Sequence, residues 1–257
     1  TAVEPAFRSI QPYEAVGAAA TEMAASEAVS NAPGTEPEQA PPPQELGAIN
    51  FEWRIHEIDH FDIYYYYPEL EEHLERIASY AERAYAQISA DLTHDLANRV
   101  QVIVFKTHSE FEQQNVSPGA VSDGVAAFAE PFRMRILLPI DEPPDLLYRL
   151  ITHELTHQFA FDIIPRSFLR QQPPLWVDEG LADYMAGVWN PLDLMAVRDA
   201  ALSDTLPAMS EFVRGRQFAN PRLVYNLGHA AFEFIEERWG KEGVRQFLFS
   251  LRKTVIG

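Results

Sequence analysis

The period of the apolar residues changes at Pro143-Pro144, and this change constrains the fold more than any other feature of the chain. Ahead of the two prolines the pattern is mostly that of strands. Phe51, Trp53 and Ile55 alternate with polar residues, as do Phe61, Ile63 and Tyr65, which predicts two strands joined around 58–60. Pro68 opens a long helix in which Leu70, Leu74, Ile77, Ala81, Tyr85 and Ile88 recur at helical spacing. Val100–Phe105 is a short, nearly continuous apolar run suited to a central strand. Two further strands are expected, one over Gly124, Val125, Ala126, Ala127 and Phe128, the other over 133–138. Beyond the prolines the pattern is helical almost to the end, broken near Pro165, Pro173-Pro174, Pro191 and Pro221. Strands followed by helices predict an α+β domain, with a sheet half over about 48–142 and a helical half over about 143–257.

Residues 1–47 stand apart. They are rich in Ala, Pro and Glu, include Pro41-Pro42-Pro43, and hold too few bulky apolar residues to offset the entropy of ordering. A disordered or extended tail is expected, available as a tether to a partner protein, with 13–30 the stretch suited to a helix on that partner. No basic start followed by an apolar stretch opens the chain at Thr1. No run approaches the roughly 18 consecutive apolar residues that a membrane span needs. A formal charge of −18 disfavours nucleic acid and anionic membranes as partners. The absence of cysteine excludes disulfides, thiolate metal sites and thiol nucleophiles, and fits an oxidising compartment without requiring one.

Chemistry concentrates just after the prolines, in His153-Glu154-Leu155-Thr156-His157, an HExxH pattern. Pro143 and Pro144 suit a first helical turn, and Asp145 favours its positive end. At 100° per residue, His157 falls about 40° from His153, and Glu154 about 100°. Leu146 and Leu150 fall at about 20° and 60°, so the imidazoles share a stripe with leucines on a helix buried nearly all round. Two imidazoles with poor access to water are costly unless paired, and one divalent ion satisfies both. Backbone carbonyls around two core histidines would be the alternative. Zinc is the natural occupant because it accepts mixed nitrogen and carboxylate ligands. Glu154 lies beside the pair, offset enough to take a proton from a water at the ion without ligating it. Shuffling a chain of this composition yields HExxH in roughly 2 of 100 cases, so the pattern needs a third ligand before it carries weight.

That ligand is expected after Pro173-Pro174, which end the intervening loop and permit a new helix. On it Glu179 and Asp183 are one turn apart and can face one target. Glu179 completes a set of His153, His157 and Glu179 around one zinc ion, leaving a fourth position for water. Asp183 is placed to accept the free ring N–H of a ligand histidine. Leu175 and Trp176 mark a buried entry to this helix. A solvated acidic face is the other reading of the Glu179 and Asp183 pair.

These residues resemble the gluzincin metallopeptidases, whose signature is HExxH followed by a Glu on the next helix. The resemblance is closest to peptidase MA-like domains of bacterial extracytoplasmic proteins, through His60-Phe61-Asp62-Ile63-Tyr64-Tyr65 and 176–184, and covers roughly 50–250. It implies a mixed sheet lying across the active-site helix, a zinc cleft between the two halves, and an extracytoplasmic location. Such domains are often followed by a TolB-like β-propeller; this sequence stops at Gly257 without one, as a fragment or a processed chain would. It also implies an edge strand that pairs with an extended peptide substrate, for which Gly124, Val125, Ala126, Ala127 and Phe128 are the candidates; an ordinary sheet strand is the equal alternative. Related enzymes stabilise the oxyanion with a Tyr or His from a later helix. Here Asn220-Pro221 can cap such a helix, with Tyr225 the better candidate and His229 the second; a surface Tyr and His on an amphipathic helix would look the same.

The expected activity is hydrolysis of peptide bonds in peptide or protein substrates, by an endopeptidase. An aminopeptidase would need a site for the substrate amine, for which no acidic motif stands out. The rival from another class is a catalytically silent, zinc-bearing interaction subunit of a larger assembly.

Overall fold

The computed structural model describes residues 52–114, 125–165, 172–187, 189–213 and 222–256. The expectations that fall on the 1–47 tail, Phe51, Gly124, Asn220 and Pro221 lie outside them. Alternation in the first half becomes a five-stranded mixed sheet in the order β1-β2-β3-β5-β4. The strands are β1 (Arg54–Glu57), β2 (Phe61–Tyr65), β3 (Val100–Phe105), β4 (Phe128–Glu130) and β5 (Arg135–Pro139). β2, β3 and β5 run parallel, and β1 and β4 pair antiparallel at the two edges.

A period of two gives this sheet two different faces. Phe61, Ile63, Tyr65, Val100, Val102, Val104, Ile136 and Leu138 point into the main core. The residues between them, including Tyr66, Ile103, Phe105 and Leu137, form a smaller cluster with Phe111 on the other face. Helix α1 (Glu71–Leu92) packs on the main-core face, after a 3-10 turn at Pro68–Leu70. The short α2 (His108–Glu112) supplies Phe111; its cap Thr107 accepts a bond from the Glu110 N–H at 3.3 Å.

Three strands start later than expected: β1 begins at Arg54 and leaves Trp53 outside it. β4 begins at Phe128, and 125–127 carry no regular structure. Its register is set by β5, with Phe128 opposite Leu137 and Glu130 opposite Arg135, where the carboxylate and guanidinium also form an ion pair. A turn over 131–134, with Met134 at φ 48°, absorbs Arg133 and moves the start of β5 to Arg135.

The remaining helices are α3 (Pro144–Ile163), α4 (Leu175–Met185), α5 (Pro191–Leu202), α6 (Met209–Val213) and α7 (Arg222–Ile256). Along α3, Leu147, Ile151, Leu155, Phe159 and Ile163 enter the main core, each contributing about 1.5–3 kcal/mol of burial. The neighbouring stripe of Leu146, Leu150, His153, His157 and Phe161 lines a cleft instead. Helices α4 and α7 cross at Gly180 and Gly228. A Cβ on Gly180 would stand 2.4 Å from the Gly228 backbone, and one on Gly228 would stand 2.3 Å from the Trp176 carbonyl oxygen. Only glycine permits so close an approach.

α7 kinks at Gly240, whose φ of 68° lies in the left-handed region. Its second half turns back to α1, where Lys241 pairs with the Asp91 carboxylate and Arg245 Nη1 donates to the Asp91 carbonyl at 3.0 Å. Phe232, Val244 and Leu248 join the cluster that contains Phe61 and Val100, so the two halves share one core. Among the described residues no helix is long and apolar enough to cross a membrane.

Candidate metal centre and cleft

The cleft measures about 670 Å³ and runs along the exposed stripe of α3, from Leu146 at one end to Phe161 at the other. Val125, Ala126, Ala127, Phe128 and Ala129 form one wall, and Asp178, Glu179, Asp183, Arg222 and Tyr225 the opposite one. Of the leucines on the histidine stripe, Leu146 is 45% exposed cleft lining, whereas Leu150 both lines the cleft and packs against the main core. Leu175 is likewise exposed, whereas Trp176 packs among Phe212, Phe232 and Phe247 and anchors the start of α4.

His153, His157 and Glu179 meet in this cleft. His153 Nε2 lies 3.4 Å and His157 Nε2 3.5 Å from the same oxygen, Glu179 Oε2, and all three ligand atoms lie within 4.8 Å of one another. The group can hold a metal ion. Ligands at 2.0–2.1 Å around a tetrahedral ion stand roughly 3.3–3.4 Å apart, which the two nitrogen-to-oxygen separations match closely. Geometry and donor types thus fit a small divalent ion, with no further ligand needed from the described residues.

The surroundings set the orientation and the protonation of these groups. Asp183, 3% exposed, takes the His153 ring at Nδ1 over 3.1 Å, so Nε2 is the nitrogen left to face Glu179. Burial works against charge on every member of the group. For Glu179 the two imidazoles overcome it and hold the carboxyl down at about 2. For His153 burial is likewise outweighed, by Asp183 and Glu179, and the ring's pKa sits above the ordinary value. His157 is shifted further in the same direction: burial opposes it, and the carboxylates of Asp178, Glu179 and Glu154 prevail. His157 Nδ1 has no hydrogen-bond partner among the described residues, since Asp178 Oδ1 stands 3.8 Å away. The centre is two imidazoles, His157 buried and His153 partly so, set among carboxylates.

Glu154 is 5% exposed and lines the cleft beside the two histidines. Burial raises its pKa above the usual carboxyl value, and the neighbouring imidazoles limit the rise. Tyr225 faces the cleft from α7 with its phenol pushed up to about 12, chiefly by burial and then by the Glu179 charge. His229, the second candidate for stabilising the oxyanion, is not among the residues that line the cleft. It is 2% exposed, stacked 4.1 Å from the Trp189 ring, and edge-on to Tyr184. Position 229 follows Gly228, where α7 meets the backbone of α4.

Arg149 and Arg222 also line the cleft, and sequence reasoning missed them. Both approach Asp183, at 3.6 Å and 2.8 Å, and Arg222 ties it to Asp193 of α5. Their only signal in the sequence was their charge, which does not reveal a partner. Glu142 lines the end of the cleft next to Leu146. No protein-family model matches the chain, and no curated protein does either.

Proposed function

We propose that the chain is a zinc-dependent endopeptidase with a gluzincin-like arrangement, acting on peptide or protein substrates in an extracytoplasmic setting. The observation that carries this reading is the convergence of two imidazole nitrogens on one carboxylate oxygen, at 3.4 and 3.5 Å, beside a buried glutamate in an elongated cleft. His153, His157 and Glu179 would hold the ion. When bound, such an ion lowers the pKa of water and polarises a carbonyl oxygen.

The chain's own residues supply the rest. Glu154 accepts a proton from the attacking water and returns it to the leaving amine, a role suited to a carboxylate whose burial makes it a stronger base. Tyr225, protonated at any working pH, donates a hydrogen bond to the substrate oxygen as charge develops there. β4 is an edge strand paired on one side by β5, and 125–129 line the cleft, so an extended peptide can add its backbone along this wall.

Digestion of casein or a peptide library with and without a chelator tests the activity. Glu154→Gln should keep the metal and lose about 10²-fold or more of turnover. Near-wild-type turnover in that variant overturns the assignment of the base. Bound metal without cleavage of any peptide in the wild type would instead favour a silent zinc-bearing interaction subunit.

A further inference from the structure

Asp183 does not stand alone behind His153. One of its oxygens takes the His153 Nδ1 at 3.1 Å, and the other accepts from Arg222 Nη2 at 2.8 Å. Arg222 in turn grips Asp193 with two nitrogens, Nε to Oδ1 at 3.2 Å and Nη2 to Oδ2 at 2.9 Å. A guanidinium is planar and rigid, so engaging Nε and Nη2 on one carboxylate fixes its plane and its rotation. The second N–H on Nη2 then has one direction to point, and that direction is occupied by Asp183.

Asp193 is itself held. It sits in the first turn of α5, where the Asn190 side chain caps the helix by accepting from Leu192 N at 2.9 Å. The Asp193 carbonyl oxygen accepts from Asn226 Nδ2 of α7 at 3.4 Å. A continuous row of hydrogen bonds therefore runs from the start of α5, across α7 and α4, to the ring of His153 on α3.

We propose that Asp193 is a positioning residue for metal ligation, aiming the His153 imidazole through Arg222 and Asp183. This rests on the reading of His153, His157 and Glu179 as a metal site. Removing Asp193 takes away the pair of bonds that sets the guanidinium plane and leaves Arg222 with one carboxylate fewer. Asp183 is then drawn further onto Arg222 and holds the histidine ring less firmly. Partners behind a ligating histidine commonly set about 10- to 100-fold in metal affinity.

The test is zinc affinity of the full chain by competition with a chromophoric chelator, which needs no knowledge of the substrate. Asp193→Ala and Arg222→Lys should each weaken zinc binding about tenfold or more. Asp183→Ala should weaken it at least as much. The decisive measurement is the double variant: if Asp193 acts through Asp183, adding Asp193→Ala to Asp183→Ala costs no further affinity. A merely structural role would instead lower affinity additively, with a matching fall in the thermal midpoint of the metal-free protein. Additive losses, or unchanged affinity in both Asp193→Ala and Arg222→Lys, overturn the proposal. Asp193→Asn, which keeps shape and one acceptor, should fall between wild type and Asp193→Ala. Failure of the wild type to bind zinc at all defeats the metal site first and this inference with it.

Discussion

Tyr225 and His229 make opposite uses of burial. Desolvation keeps the Tyr225 phenol protonated, so Tyr225→Phe removes a hydrogen-bond donor and little else. Turnover should fall by about 10²-fold with KM nearly unchanged, measured on any cleaved peptide. At His229, burial among Trp189 and Tyr184 favours the neutral ring and lowers its pKa, against the opposing charge of Glu233. The unfolded chain takes up a proton there near pH 6.5, before the folded chain does. This contribution to stability is therefore full above that pH and falls as pH drops toward the folded value. His229→Gln lacks the uptake, so the gap in thermal midpoint between wild type and variant should shrink between about pH 8 and pH 5. A gap that widens on acidification would contradict the buried neutral ring. Spacing placed both residues on one face of a helix, but it carries no information about where a second helix cuts across that face. The grouping of His153, His157 and Glu179 was readable because HExxH and the Glu179 segment each depend on local helical spacing. Asp193 was not, because its partner lies 29 residues away on another helix.

Elements are joined most tightly where α4 crosses α7. Since each Cβ would meet backbone within 2.4 Å, Gly180→Ala and Gly228→Ala force the helices apart. Either substitution should cost about 2 kcal/mol or more in urea unfolding, a large value for one added methyl group. It should also weaken zinc binding, because Glu179 rides on α4. Most elements were legible from local pattern. β3 spans the apolar run Val100–Phe105, and α3 ends just before Pro165. α2 escaped notice although Thr107-His108-Ser109-Glu110 has the form of a capping box. β4 was placed too early because Val125, Ala126 and Ala127 offer no contrast between faces. The strand is defined by its pairing with β5 and by the ion pair of Glu130 with Arg135, neither of which local alternation encodes.

For the molecule as a whole, a metal that binds only the folded state stabilises it by mass action. With free zinc at about 100 times its dissociation constant, unfolding should become harder by about 2.7 kcal/mol, and a chelator should reverse the gain. A thermal midpoint unmoved by zinc would argue against a site built by the fold. The shared main core means that the sheet and helical halves, separable by sequence pattern, should unfold together in one transition. The bend at Gly240 extends that unity to the end of the chain. Upstream of it the last helix walls the cleft with Arg222 and Tyr225; downstream, Lys241 and Arg245 fasten the far end to Asp91. The segment works as a buckle, with its tongue in the cleft and its catch on the first helix. A cut at that joint would leave every cleft-lining side chain attached to the protein, yet let the strap go slack.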